Sequence, residues 1–569
     1  MPENTDCVEK ESGGNRGKTS EGTESGVSRR DALKMSATAA AVGLTGISAM
    51  TGSAAATERQ GISFDRVVNA VDDLGLDPDG DEPIDSAIEE TIEEGDYLIE
   101  FPPGTYYWED TVDESDVNNW GIRGLGDDPT DVRFVSEDGA GKFLLKTNGG
   151  EGILVENVAI DYGFDREGSL GLMLKADDGL RVQDLHFVGF KPTQGEGAVE
   201  NLSPQALDSD GQAIVDGLVC TGPTDIAPHG HLDGDVNTSC VWLGERHVGE
   251  LLVRNSHIEN AGTNAIYARE SAGDVKIEDS LFVNNNQTAL RIGGSGSYVK
   301  GCRFVVDTDN ATEENDGEFI NPHAVTWETG ERGETGGYIE DCDFVYESAP
   351  AKTAAAVWID GSAGEMAIRD SRFRMDADGV AAIRADDPRD PRLGDTASKP
   401  WGVTLENVSI TGSSSGSHPA VFVNNRDGSA IRDCCLQLTG NRDGIYLRNS
   451  DDSVVENTNV NVEGEATTFA GSDVSTEDIS HSDSCPVPDD SFSIDDETET
   501  ETPTDDETET ETPTDDESES ETPTDDESEA ETPTDDESES ETETEASTET
   551  ETETEPETPT KTETETDDE

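Results

Sequence analysis

The chain has 569 residues, with 129 Asp and Glu against 37 Lys and Arg, a formal net charge of −92. Such a field excludes nucleic acid and anionic membrane surfaces as partners, which are bound through clustered cations. Self-repulsion of this size is screened only where the Debye length falls to roughly 3 Å, near 1 M salt, so the composition suits a high-salt medium.

At the N-terminus, Ser28-Arg29-Arg30-Asp31-Ala32-Leu33-Lys34 precedes a small, apolar run from Met35 to Met50 and then Ser53-Ala54-Ala55-Ala56. The arrangement resembles a twin-arginine export signal, with Ala32 where Phe is more usual, and implies secretion of a chain folded beforehand. Residues 1–56 are therefore assigned to the signal region and 57–485 to the folded domain. The acidic composition with such a signal is similar to that of secreted haloarchaeal proteins.

In the segment DEPIDSAIEETIEEGDYLIEFPPGTYYWED, Ile84, Ala87, Ile88 and Ile92 mark one helical face, with Pro83 in the first turn and Gly95 as the stop. Phe101-Pro102-Pro103-Gly104-Thr105-Tyr106 then starts a strand.

Between residues 150 and 460 a short pattern recurs: VENVAI, VQDLHF, IVDGLV, VRNSHI, IEDSLF, VKGCRF, IEDCDF, IRDSRF, LENVSI, IRDCCL and VENTNV. Asn or Asp holds the third place in all but one: Asn157, Asp184, Asp216, Asn255, Asp279, Asp341, Asp370, Asn407, Asp433 and Asn457, with Gly301 the exception. A second apolar run precedes each unit, as in Val241-Trp242-Leu243, Ile266-Tyr267-Ala268 and Leu290-Arg291-Ile292. Each repeat thus supplies at least two short strands separated by polar corners, where Asn and Asp tolerate the left-handed conformation. Stacking such coils pairs each strand with its equivalents above and below, about 4.8 Å away. The expected fold is all-β: a right-handed parallel β-helix of about eleven or more coils. A sandwich of hairpins is the alternative, but it offers no reason for the repeated corner residue.

The helix followed by FPPGTY, with the coils after it, resembles the pectate-lyase-like β-helix proteins over residues 64 to 480. The resemblance implies that the helix covers the open end of the first coil, where bare strand edges would invite strand addition. It also implies a carbohydrate-active protein. The paired-Asp and His motifs of polygalacturonases are absent. DYGFDRE, residues 161 to 167, is similar to a motif of alginate epimerases but lacks the histidine that follows there.

Cys302, Cys342 and Cys434 occupy the place after the corner that Ser256, Ser280 and Ser371 hold elsewhere, which predicts a column of small stacked residues, with disulfides as the alternative. Cys220 and Cys240 bracket an insertion, and a bridge between them is an open alternative.

Three coils carry insertions before their first strand (188–210, 220–240 and 305–322) and a fourth after it (385–401). All flank one face, the expected binding surface of a solenoid. Tyr267, Arg291 and Trp358 are placed on it in register with Leu243. Tyr267, Trp327, Trp358 and Asp360 are the candidate substrate-binding residues, since aromatic and bidentate polar groups suit an oligosaccharide. The alternative for this face is a solvated sheet laced with ion pairs. Arg291, Arg269, Glu245, Glu270 and His247 are the candidate catalytic groups. Elimination in a uronate would use Arg291 or Arg269 to neutralise the sugar acid or as base, often with Ca²⁺. Hydrolysis would use paired carboxylates about 5 to 9 Å apart, from Glu245 and Glu270 or from Glu328 and Asp360. The loop PHGHLDGDVNTSC supplies His229, His231, Asp233 and Asp235 as candidate metal ligands, in a spacing of no specific zinc type.

From residue 486 the chain becomes an acidic tail with a ten-residue period, ETPTDDESES and its variants. Residues 495–569 hold 37 acidic groups and one Lys. Nothing there can bury apolar surface, so disorder is expected, and no apolar stretch of membrane-spanning length follows. Two functions remain: a secreted polysaccharide lyase or hydrolase, or a non-catalytic surface or adhesive β-helix.

Overall fold

The computed structural model describes residues 57–488 apart from 165–167, 193–198, 225–238, 312–320, 393 and 482–483. The expected signal region, residues 489–569 of the acidic tail and the metal candidates His229, His231, Asp233 and Asp235 lie outside the described residues.

The chain winds into a parallel β-helix with three strands in most coils. One face is a sheet of thirteen strands, from Val112–Ser115 to Thr467–Ala470, in which each strand pairs in parallel with its equivalent in the next coil. The second face holds the strands that run up to the corner, such as Asp274–Glu278. The third holds those that leave it, such as Leu281–Val283. In two early coils a single strand, Glu151–Asp161 or Asp178–Val188, continues round the corner and serves both faces.

Nine of the ten predicted corner residues have positive φ, between 43° and 54°. Asp216 does not. It pairs with Arg254, one place before the corner, and Gly217 (φ 73°) takes the bend. Glycine also bends the chain at Gly301 (φ 64°), so the two coils without Asn or Asp at the bend use the residue that enters this region freely. Corner side chains bond along the axis: the Asn255 amide donates to Asp216 Oδ1 (2.8 Å) and that of Asn407 to Asp370 Oδ1 (2.7 Å).

The column behind the corner is as expected. The hydroxyls of Ser256, Ser280 and Ser371 and the thiols of Cys302, Cys342 and Cys434 all point back to the carbonyl two residues earlier, and the three cysteines are buried and unbridged. Burial pushes the Cys434 thiol up to about 12. Cys220 and Cys240 are likewise buried and unbridged, with their thiols beside one another. The disulfide in the described structure joins Cys435 to Cys485 and ties the last described segment back to the third face.

Inside the coils, equivalent side chains stack in rows. Phe282, Phe304, Phe344 and Phe373 lie face to face at 5.0, 5.0 and 4.3 Å. At the N-terminal end helix α1 (Asp85–Glu94) buries Ile88 and Ile92, and Trp120 donates its indole N–H to Thr91 (3.1 Å). Gly95 ends the helix at φ 68°. Pro83 falls before α1, in a short strand, and Ile84 is the capping residue. Among the described residues, no helix is long and apolar enough to cross a membrane.

Candidate functional site

Along the thirteen-stranded face the chain repeats triplets in which the outer two residues point into the core. In IYA, LRI, VWI, VFV and IYL the flanking residues Ile266, Ala268, Leu290, Ile292, Val357, Ile359, Val421, Val423, Ile445 and Leu447 are all buried. The pleat sends the central residue outward. Register aligns these central residues into one column: Trp242, Tyr267, Arg291, Thr326, Trp358, Arg384, Phe422 and Tyr446. Trp242, not Leu243, is the member from its coil, and Leu243 faces the core.

Within the column, arginines lie over aromatic rings of neighbouring coils. The Arg291 guanidinium sits 4.9 Å from the Tyr267 ring centroid, Arg384 5.1 Å from Trp358, and Arg448 5.4 Å from Phe422. From the fourth insertion Arg392 stacks 4.4 Å from the same Trp358 ring. These are favourable cation–π contacts. Tyr267 points its hydroxyl at Glu270 (3.5 Å), and the Trp358 indole donates to Asp386 Oδ2 (2.8 Å), which with Oδ1 also holds Arg384 Nε at 2.8 Å.

Arg269 and Arg291 converge on one carboxylate. Glu328, whose side chain is 0% exposed, receives Arg291 Nε at 2.5 Å and lies 3.8 Å from Arg269 Nε. Burial lowers the Arg291 pKa, but the charge and hydrogen bond of Glu328 outweigh it and hold the group above its ordinary value. Arg291 is therefore held as a cation against Glu328. Among the described residues its buried Nη2 has no hydrogen-bond partner.

Three candidates are corrected. Trp327 is fully buried: it pairs with Ile292 and Ile359 and fills the core, because the strand alternation puts Thr326 on the outer column. His247 is buried in the turn after its strand, where Nδ1 accepts the Ala206 N–H (3.0 Å). Burial pushes its pKa down to about 4, so the neutral ring is a structural acceptor. Asp360 is buried in a turn, with its carboxylate taken by the backbone N–H groups of Ser362 (2.9 Å) and Arg392 (3.3 Å). Glu245 and Glu270 are exposed on the turns that follow adjacent strands, and Tyr267 and Arg291 lie side by side, half-buried.

Sequence reasoning missed what fastens the fourth insertion. Arg426 is fully buried and donates to the carbonyls of Asp360, Ala363, Gly364, Asp386 and Trp401 at 2.8–3.3 Å, pinning both ends of residues 385–401. Burial pushes its pKa down to about 10, so it stays charged. It also missed Trp242, Phe422 and Tyr446, which the triplets VWL, VFV and IYL would have given. Among the described residues no group of three or more His, Cys, Asp or Glu side chains could hold a metal ion.

No protein-family model matches the chain, and no curated protein matches it. Solved structures do. The A-module of mannuronan C-5 epimerase AlgE6 from Azotobacter vinelandii is 13% identical, with 72% of this chain and 99% of that one covered and a TM-score of 0.40. The surface protein and adhesin PfbA of Streptococcus pneumoniae is 13% identical over 73% of this chain and 100% of that one, TM-score 0.44. The catalytic unit of a GH87 α-1,3-glucanase from Streptomyces thermodiastaticus is 16% identical over 74% and 71%, TM-score 0.34.

Proposed function

We propose that the thirteen-stranded face is a glycan-binding surface and that the protein is a secreted, carbohydrate-active β-helix protein working on an extracellular polysaccharide in high salt. The observation that carries this is the column of Trp242, Tyr267, Arg291, Thr326, Trp358, Arg384, Phe422 and Tyr446, in register at intervals of about 4.8 Å. Such a row offers ring edges, fixed cations and amphipathic tips to a polymer lying along the coil axis, and the ion pairs hold those groups in place before the ligand arrives.

Catalysis is a second reading. The two exposed carboxylates Glu245 and Glu270, on neighbouring turns beside Tyr267, favour hydrolysis over a route using Arg291 as base. Ca²⁺ held by Asp233 and Asp235, with His229 and His231 nearby, belongs to the elimination reading and rests on sequence alone.

The test is incubation of the mature protein at high salt, with and without Ca²⁺, with pectate, alginate and neutral glycans. Retention on a polymer that is lost in a Tyr267→Ala, Trp358→Ala double variant supports the binding surface. New reducing ends that vanish in Glu245→Gln or Glu270→Gln support hydrolysis, and ultraviolet absorbance of unsaturated uronates supports elimination. No retention on any glycan overturns the proposal.

A further inference from the structure

The residue just before each corner lies outward on the second face, and register aligns these residues into a second column. From the coil of Asp216 to that of Glu456 they read Asp216, Arg254, Glu278, Lys300, Glu340, Arg369, Glu406, Arg432 and Glu456. The sign alternates at every step across nine coils. Basic residues are outnumbered more than three to one in this chain (37 against 129), yet they take every second place. Neighbours touch at several rungs: Arg254 to Asp216 at 2.7 Å, Lys300 to Glu340 at 3.1 Å, Arg369 to Glu340 at 4.0 Å and Arg432 to Glu456 at 2.5 Å.

Exposed ion pairs add little stability, so their number does not explain the alternation. Its effect on the competing structures does. A solenoid of near-identical coils can misfold by looping one coil out and stacking its two neighbours on each other. The core does not oppose this, since Phe282, Phe304, Phe344 and Phe373 are interchangeable in their stack and the corners all hold Asn, Asp or Gly at positive φ. The charged column does oppose it. Skipping a coil puts Arg254 on Lys300, Glu278 on Glu340, Lys300 on Arg369, Glu340 on Glu406, Arg369 on Arg432, and Glu406 on Glu456. Every skip converts an opposite pair into a like pair.

We infer that this alternating column is a register lock, a device that selects the correct coil-on-coil order during folding rather than one that stabilises the finished structure. Exchanging two charges, Lys300→Glu with Glu340→Lys, keeps composition and net charge but makes Glu278 and the new Glu like neighbours, and likewise the new Lys and Arg369. The same exchange makes the skipped pairings across these coils opposite in sign. Its control, Lys300→Gln with Glu340→Gln, removes the same charges without favouring the skip.

The full-length chain is refolded from denaturant at high salt and scored by the yield of protease-resistant product and the positions of cleavage. The exchange variant is expected to refold at least fivefold less well than the neutral control, with new cleavage inside a looped-out coil between residues 278 and 369. Equal yields and equal cleavage maps would overturn the lock. If the exchange variant does not fold at all, reversing the sign at all nine positions decides: restored folding supports the lock, and no restoration overturns it.

Discussion

The corner and the thirteen-stranded face are built from the same coils under opposite rules. At the corner the coils draw on a few residue types: an αL Asn, Asp or Gly, then in seven of the eleven units a Ser, Cys or Thr bonded to the carbonyl two residues back and in the other four a buried Val or Leu. On the thirteen-stranded face the inward positions repeat, but the outward ones change from Trp to Tyr to Arg to Thr to Trp. Repetition is what packing needs, because each coil presents the same surface to the next. Variation where packing does not require it marks the surface that faces a partner.

The largest effects should fall on the repeated part. Phe344→Ala removes the middle of a stacked row and is expected to cost about 3–5 kcal/mol in denaturant unfolding at high salt. A cost near that of an exposed substitution would break the distinction. On the varied face the only comparable loss should come from Glu328→Gln, which leaves Arg269 and Arg291 facing each other without their buried carboxylate. About 3 kcal/mol is expected there, together with altered glycan retention.

The buried neutral histidines His247 and His323, both pushed down to about 4 by burial, sharpen the comparison by pH. In the unfolded chain they titrate near 6.5, so the unfolded state binds more protons between pH 6.5 and 4. Their contribution is complete above about 6.5 and falls as pH drops toward 4, by up to about 3 kcal/mol for each ring. In a urea series over that window, His247→Gln should show a shallower decline than the native chain. At the corner, Asp370→Ala should cost about 1 kcal/mol more than Asp370→Gly, since both lose the hydrogen bond from Asn407 but only Ala keeps a Cβ at positive φ with no polar side chain to offset it. The smallest change in stability belongs to Trp358→Ala, half-exposed on the varied face, which should instead weaken retention on a bound glycan about tenfold, or roughly 1.4 kcal/mol.

The corner was legible because its cause is local. A bend at positive φ favours Asn, Asp or Gly, and one misplacement, Asp216 for Gly217, came from reading the pattern by letter when the turn had moved by one. The alternating charges were visible in the same eleven units as the letter before each corner residue, but a spacer has no meaning until register shows which spacers touch. The candidate site was legible in part. Tyr267, Arg291 and Trp358 come out on one column, whereas Trp327 goes inward because a strand's parity is set by its neighbours in the sheet, and a run such as HAVTWE permits either phase. His247 and Asp360 follow the strands at places where the chain turns back to the core, so their polarity serves backbone groups there.

By itself the sequence determined the coil, its corner and its N-terminal covering helix, because these depend on backbone conformation and on patterns within about thirty residues. Only the tertiary structure decided which side chains meet. The clamp of Arg269 and Arg291 on Glu328, the five carbonyls around Arg426 and the alternating ladder each join residues from two or more coils, about 20 to 65 positions apart in the chain and one or a few rungs of about 4.8 Å apart in space. Proximity of that kind follows from register, and register is fixed only when all the coils are stacked.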